Sequence, residues 1–190
     1  MRGAVQLSIG FIVTVVIAVV LLSLALTWLR GMFGGIGGLT EDLTQQAQAK
    51  LRESFRGGEI NFAIWPSQWE VQKGGSVKLS AGILNNAEDG EDHYYVINVI
   101  PAQCPKNDCE KNKPEITFDK TKTKVAPGTE AFKYIEVSIP TRSDSGTYIF
   151  NVVACYDAGN GIENVPNSDE CDTTHPNLWG NPQQLIISTK

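Results

Sequence analysis

Cysteine is the residue type in this chain with the most chemistry open to it. Four occur, Cys104, Cys109, Cys155 and Cys171, all in the second half of a 190-residue sequence. A structural zinc site needs four Cys or His donors brought together, normally announced by two close-spaced pairs. Cys-x4-Cys followed by a distant second pair, with only His93 and His175 to add, fits that poorly. An even number of cysteines instead suits two disulfides and an oxidising compartment. Three pairings are open. Nearness in sequence favours Cys104–Cys109 and Cys155–Cys171, each closing a loop.

Carboxylates are the second candidate. Asp157, Glu163, Asp169 and Asp172, with Asn160 and Glu170, crowd the stretch 157–182. Oxygen donors at that density could hold calcium. EF-hand or repeat spacing is missing, however, so a solvated, disulfide-closed loop is the plainer expectation. Glu88, Asp89, Glu91 and Asp92 make a second acidic turn. His93 lies in that turn and His175 precedes Pro176, and both are expected to be exposed. No Ser/His/Asp or Cys/His set stands in a motif context. The sequence therefore predicts neither an enzyme nor a cofactor. Trp179, within His175–Gly180, reads either as a loop anchor folded back on its domain or as a contact to a neighbour. The two cysteine-bearing loops, 101–115 and 156–182, are the expected outward or inter-subunit surfaces.

These groups are carried by a two-part chain. Ile9 to Leu29 run for twenty-one residues without a charge. Thr14, Ser23 and Thr27 are its only polar side chains, and each hydroxyl can bond back to a helix carbonyl. About twenty apolar residues at 1.5 Å rise match a hydrocarbon core of roughly 30 Å. A helix with large aliphatics on all faces must be covered on all faces, by lipid or by identical helices. The exit LTWLRGMFGG lacks the small-residue pattern of a cleaved secretory signal, so the apolar stretch is expected to stay on the protein. Glycines dominate residues 31–38, which read as a hinge. Thr40 to Phe55 then read as a helix with Leu39, Leu43, Ala47, Leu51 and Phe55 on one stripe, stopped by Gly57–Gly58.

Charge divides along the same line. Residues 1–56 carry five Lys or Arg against three Asp or Glu, and residues 57–190 carry eleven against eighteen, so the net −5 comes from the C-terminal part. An acidic outer domain has no basic footprint for nucleic acid.

Gln6-Leu7-Ser8-Ile9-Gly10-Phe11 resembles the start of archaeal type IV pilin-like proteins. That family shows a short basic leader, then Gln-x-Ser-x-Glu-Phe, then a long apolar helix. Gln6, Ser8 and Phe11 fall on the pattern. Gly10 stands where the family has Glu, and Val5 stands where a small residue precedes the leader cut, with Gly3-Ala4 close by. The resemblance covers about 30 residues. It implies a leader cut before Gln6 or after Gly3, and side-by-side packing of the helices into a filament core through Gln6, Ser8, Gly10, Phe11, Ile12, Val16, Val20, Leu24 and Trp28.

From Glu59 onward the apolar period changes from helical to alternating. Strands are expected at 60–65 and 69–71 (bent at Pro66), 76–83, 94–100, 116–118, 132–139, 147–155 and 184–188. Turn signals stand between them, as in a β-sandwich. The phrases GGSVKLSAGILNN, VAPGTEAFKYIEVSIP and SGTYIFNVVAC resemble Ig-like modules of prokaryotic surface proteins over residues 70–155. The resemblance implies that Asp144–Tyr148 could form a tyrosine corner. Phe150 takes the place of an antibody-type core cysteine, so no inter-sheet disulfide is implied.

The expected class is α+β: an N-terminal hydrophobic helix, transmembrane or filament core, and a short stalk helix, followed by an all-β Ig-like sandwich. Its parts are residues 1–30, 31–58 and 59–190. The expected function is a structural subunit of an archaeal pilin-like surface filament. The alternative is a single-span membrane-anchored protein displaying an Ig-like adhesion or binding domain. The expected partners are copies of itself through the N-terminal helix, a membrane before or instead of assembly, and an unidentified surface ligand. The expected location is the cell surface.

Overall fold

The computed structural model describes residue 10 and residues 13–23, 45–107, 109, 113–159 and 161–190. The chain falls into two compact units, Met1–Leu43 and Thr44–Lys190.

In the first unit residues 13–23 form helix α1. Thr14 Oγ1 donates to the Gly10 carbonyl at 2.9 Å and Ser23 Oγ to that of Val19 at 2.8 Å, so both hydroxyls are satisfied along the helix itself. Val13, Val15, Val16, Ile17, Val19, Val20, Leu21 and Leu22 are all exposed, between 45% and 62%. The expected α+β class with a spanning helix is corrected here. Among the described residues no helix is long and apolar enough to cross a membrane. Gln6, Ser8, Phe11, Ile12, Leu24, Trp28 and the glycine-rich stretch 31–38 lie outside the described residues.

The second unit is almost entirely β, apart from helix α2 at residues 45–55 and three short 3-10 turns. Its strands are β1 (Phe62–Trp65), β2 (Gln68–Val71), β3 (Ser76–Leu84), β4 (His93–Gln103), β5 (Glu115–Phe118), β6 (Thr123–Val125), β7 (Glu130–Ser138), β8 (Gly146–Tyr156) and β9 (Gln183–Thr189). One sheet has the order β1-β3-β7-β5 and the other β2-β9-β8-β4-β6. The expected bent first strand is two strands in different sheets. β1 pairs antiparallel with β3, and β2 pairs parallel with β9. Pro66 lies between them, where the missing N–H and fixed φ of proline suit a break in pairing. Two facing sheets with a first strand shared between them make an Ig-like β-sandwich.

Alternation along the strands fills the space between the sheets. Val77, Leu79, Ala81 and Ile83 of β3 face Tyr95, Ile97 and Val99 of β4 and Phe150 and Val152 of β8 in one buried cluster. Tyr148 Oη donates to the Asp144 carbonyl at 3.1 Å, closing a tyrosine corner at the start of β8.

Both outer faces are covered too. α2 lays Leu51 and Phe55 on Ala63 of β1, with Phe132 and Leu84 alongside. On the opposite sheet Val96, Val153 and Cys155 point outward and are buried under Val165 and Cys171 of the long loop after β8. A helix stripe and a stapled loop thus seal faces that an isolated sandwich would leave wet.

Candidate functional site

At one end of the sandwich the β3–β4 loop, residues 85–92, meets the end of β8. Asn85 roots the loop. It is buried, and its Nδ2 donates to the carbonyls of Glu91 and Val125, each at 2.9 Å. Gly128 N donates to the Asn85 carbonyl at 2.7 Å, and Gly128 takes a φ of 69° that glycine adopts freely. His93 opens β4 on its inward face, in phase with Tyr95, Ile97 and Val99.

The imidazole sits between two carboxylates. Nδ1 is 2.6 Å from Asp157 Oδ1, and Nε2 is 3.0 Å from both oxygens of Asp89. The side chains of His93 and Asp157 are each 1% exposed, whereas that of Asp89 is 47% exposed. Asp157 also accepts from Tyr94 N at 3.3 Å and Gly159 N at 3.3 Å, so its position is fixed from three sides. Burial alone would push the imidazole pKa down, but the bonds to Asp157 and then Asp89 outweigh it, and the net displacement is upward. The bond from His93 holds the Asp89 carboxyl below its ordinary value.

An aromatic group backs this clamp. Tyr156 packs on Trp179 with ring centroids 4.8 Å apart, and Tyr95 meets Trp179 edge-on at 5.3 Å. Trp179 is held by its indole N–H to the Leu84 carbonyl at 3.0 Å and by its backbone N–H to the Ala154 carbonyl at 2.8 Å. It is only 8% exposed, so it anchors its loop to the sandwich. Burial pushes the Tyr95 phenol well up, with the Asp157 charge adding to the effect.

His93 lies in the wall of an open cleft of about 470 Å³, with Tyr156 and Trp179 as apolar surface, Glu88 and Asp89 as charge, and Asn61 and Asn86 as amides. Lysine and arginine are missing from that lining among the described residues. The cleft field therefore disfavours anions and suits neutral polar or cationic groups. Both nitrogens of His93 already face carboxylates, which leaves neither free to act as a base on a bound molecule.

The calcium candidates are not gathered. Asp157 is in the clamp. Asp169 pairs with Lys120 at 2.8 Å, and Asp172 takes the Thr174 N–H and hydroxyl in its own turn. Glu163 lies in the 3-10 turn Ile162–Asn164. Among the described residues no group of three or more His, Cys, Asp or Glu could hold a metal ion. Disulfides join Cys104 to Cys109 and Cys155 to Cys171. The second lies under the long loop, where Ser168 Oγ donates to the Ile97 carbonyl at 2.7 Å and Asn98 Nδ2 to that of Cys171 at 2.9 Å.

The expectation that His93 is exposed is overturned. Its partner Asp157 lies 64 residues away, immediately after β8, the strand that neighbours β4. The available signal was phase: alternation through Tyr95, Ile97 and Val99 puts position 93 on the inward side. His175 is half-buried and accepts from Asn177 N at 3.1 Å.

No family model matches the chain, and no curated protein matches it in sequence. Solved structures align with part of the chain at low identity. A family 123 glycoside hydrolase from Clostridium perfringens aligns at 9% identity with a TM-score of 0.41, over 64% of this chain and 22% of that one. The CsuC–CsuE chaperone–tip adhesion subunit complex of Acinetobacter baumannii aligns at 11% identity and 0.35, over 68% and 52%. SSP-19, an MSP-domain-like protein of Caenorhabditis elegans, aligns at 9% identity and 0.37, over 67% and 98%. The chain thus spans about a fifth of the first of these and half of the second. All three scores are low, and none of them speaks to what this chain does.

Proposed function

We propose that the chain is a structural subunit of a cell-surface assembly of the archaeal pilin-like kind. Its apolar N-terminal stretch associates with copies of itself, and its disulfide-stapled sandwich forms the exterior. One observation carries this reading: eight large aliphatic side chains of α1 are each about half exposed within the chain. Burying a Val, Leu or Ile side chain fully is worth roughly 1.5–3 kcal/mol, so α1 strongly favours company. Two disulfides in the second unit support an oxidising, extracellular setting.

Electron microscopy of cell surfaces and of detergent-free preparations tests the proposal. Helical filaments containing the chain are expected, and Val16→Asp with Val20→Asp should abolish them while leaving the sandwich folded. Recovery of the chain only as single copies would overturn it.

A second reading, a displayed binding domain that does not polymerise, is favoured by the cleft beside Trp179. It predicts that the aspartate variant leaves surface display and any ligand capture intact.

A further inference from the structure

We propose that His93 is a proton-operated latch: as imidazolium it ties the β3–β4 loop to the end of β8 and fixes the wall of the cleft, and as neutral imidazole it releases the loop. The reasoning is independent of whether the chain assembles.

A neutral imidazole has one N–H, and an imidazolium has two. Here both ring nitrogens lie within hydrogen-bond distance of carboxylates, Nδ1 at 2.6 Å and Nε2 at 3.0 Å. Both contacts are satisfied only in the protonated form. Loss of the proton leaves a nitrogen lone pair facing carboxylate oxygens, and that contact becomes repulsive.

The side that gives way is settled by what else holds each partner. Asp157 is buried and also accepts from Tyr94 N and Gly159 N. Asp89 is half exposed, and among the described residues it otherwise accepts within its own turn, from Glu91 N at 3.1 Å. The remaining proton therefore stays on Nδ1 towards Asp157, and Asp89 leaves. The other ties of the loop lie towards its two ends, where Asn85 Nδ2 donates to the Glu91 carbonyl at 2.9 Å and Asp92 pairs with Lys124 at 2.6 Å. Between them Asn86 and residues 88–92 are exposed, and Asn86 Nδ2 donates to the Gly58 carbonyl at 3.2 Å.

The groups facing the ring from every side favour the charged form at acidic pH. Asp89 and Asp157 flank it, and Glu88 and Glu91 lie one and two residues from Asp89 in sequence. Asp92 is engaged by Lys124 of β6 at 2.6 Å. Tyr95 and Tyr156 meet the ring edge-on at 6.3 and 5.7 Å, and burial keeps the Tyr95 phenol neutral. Because the raised pKa belongs to the folded form, the tie is complete below the ordinary histidine value of 6.5 and is lost as pH rises through the higher folded value. Release withdraws Asp89, and with it Glu88, from the cleft wall opposite Tyr156 and Trp179.

The test uses the full chain, whose only other histidine is His175. Imidazole nitrogen NMR follows His93 from about pH 5 to about pH 9, while hydrogen exchange reports the protection of residues 86–92, corrected for the intrinsic pH dependence. The expected result is two N–H signals in acid, loss of the Nε2 proton with a midpoint above 6.5, and a parallel drop in loop protection of about tenfold or more. Asp89→Ala, which removes the acceptor, should hold the loop at its high-pH protection throughout and lower the His93 midpoint. Loop protection that is the same at both ends of the range, or a His93 midpoint below 6.5, overturns the proposal. So does an Asp89→Ala loop that still tightens in acid.

Discussion

Gly82 of β3 lies directly beneath Phe55 of α2: a Cβ built on Gly82 would come within 2.9 Å of the Phe55 ring and 3.3 Å of Leu51 Cβ. The missing side chain is what lets the helix rest on the outer face of the first sheet. Gly82→Ala should therefore push α2 away, although alanine suits a strand backbone at least as well as glycine. The expected cost is about 1–3 kcal/mol of unfolding free energy. Leu51→Ala, which empties the same contact from the other side, should cost about 2–5 kcal/mol. The two should be non-additive in a double-mutant cycle, because they damage one interface. Denaturant unfolding of the single and double variants checks this, and strictly additive costs would separate the helix from the sheet.

The two disulfides should differ in worth. Cys155–Cys171 closes a separation of 16 residues and Cys104–Cys109 one of 5. Loop entropy alone gives about 3 kcal/mol for a 15-residue loop and less for a shorter one. The longer bridge also pins Val165 and Cys171 over Val96 and Val153. Replacing Cys155 and Cys171 by serine should thus lower the unfolding temperature clearly more than the same change at Cys104 and Cys109. Thermal unfolding by circular dichroism ranks them, and the reverse order would refute the account of the sealed outer face.

The tyrosine corner makes a smaller claim. Tyr148→Phe keeps the buried ring and deletes only the donor to the Asp144 carbonyl at 3.1 Å. The expected loss is about 1 kcal/mol in urea unfolding, with little change in the slope.

What was legible in the sequence follows from range. Alternation in 76–83 and 147–155 is a local signal, and it marked β3 and β8 because strand period depends on neighbours two residues apart. β6 escaped, since Thr123–Val125 is three residues long and pairs only with the start of β4. The α2 stripe was legible through Ala47, Leu51 and Phe55, but the surface it packs on was not, because Gly82 contacts it from across the fold. The same limit hid the clamp: Asp157 looked like one more acid in a crowded loop until β8 was laid beside β4.

Lys133 gives the last prediction. Its side chain is 2% exposed, and its ammonium donates to Asp119 Oδ2 at 2.8 Å and to the Thr121 carbonyl at 2.7 Å. The bond from Lys133, helped by the Thr121 hydroxyl, holds the Asp119 carboxyl down at about 2, against 3.8 for a free aspartate. A depressed folded value means that the carboxylate stabilises the fold fully above 3.8 and loses that contribution as pH falls through about 2. Asp119 is 47% exposed, so solvent screening keeps the gain on the order of 1 kcal/mol. Asp119→Asn should accordingly be less stable than the parent near neutral pH, and the gap should close towards the acid end. Parallel urea titrations of the two proteins across the acid range measure it. A gap that stays constant down to the lowest pH would mean that the ion pair contributes shape alone, and that Lys133 is satisfied by Thr121 without its carboxylate.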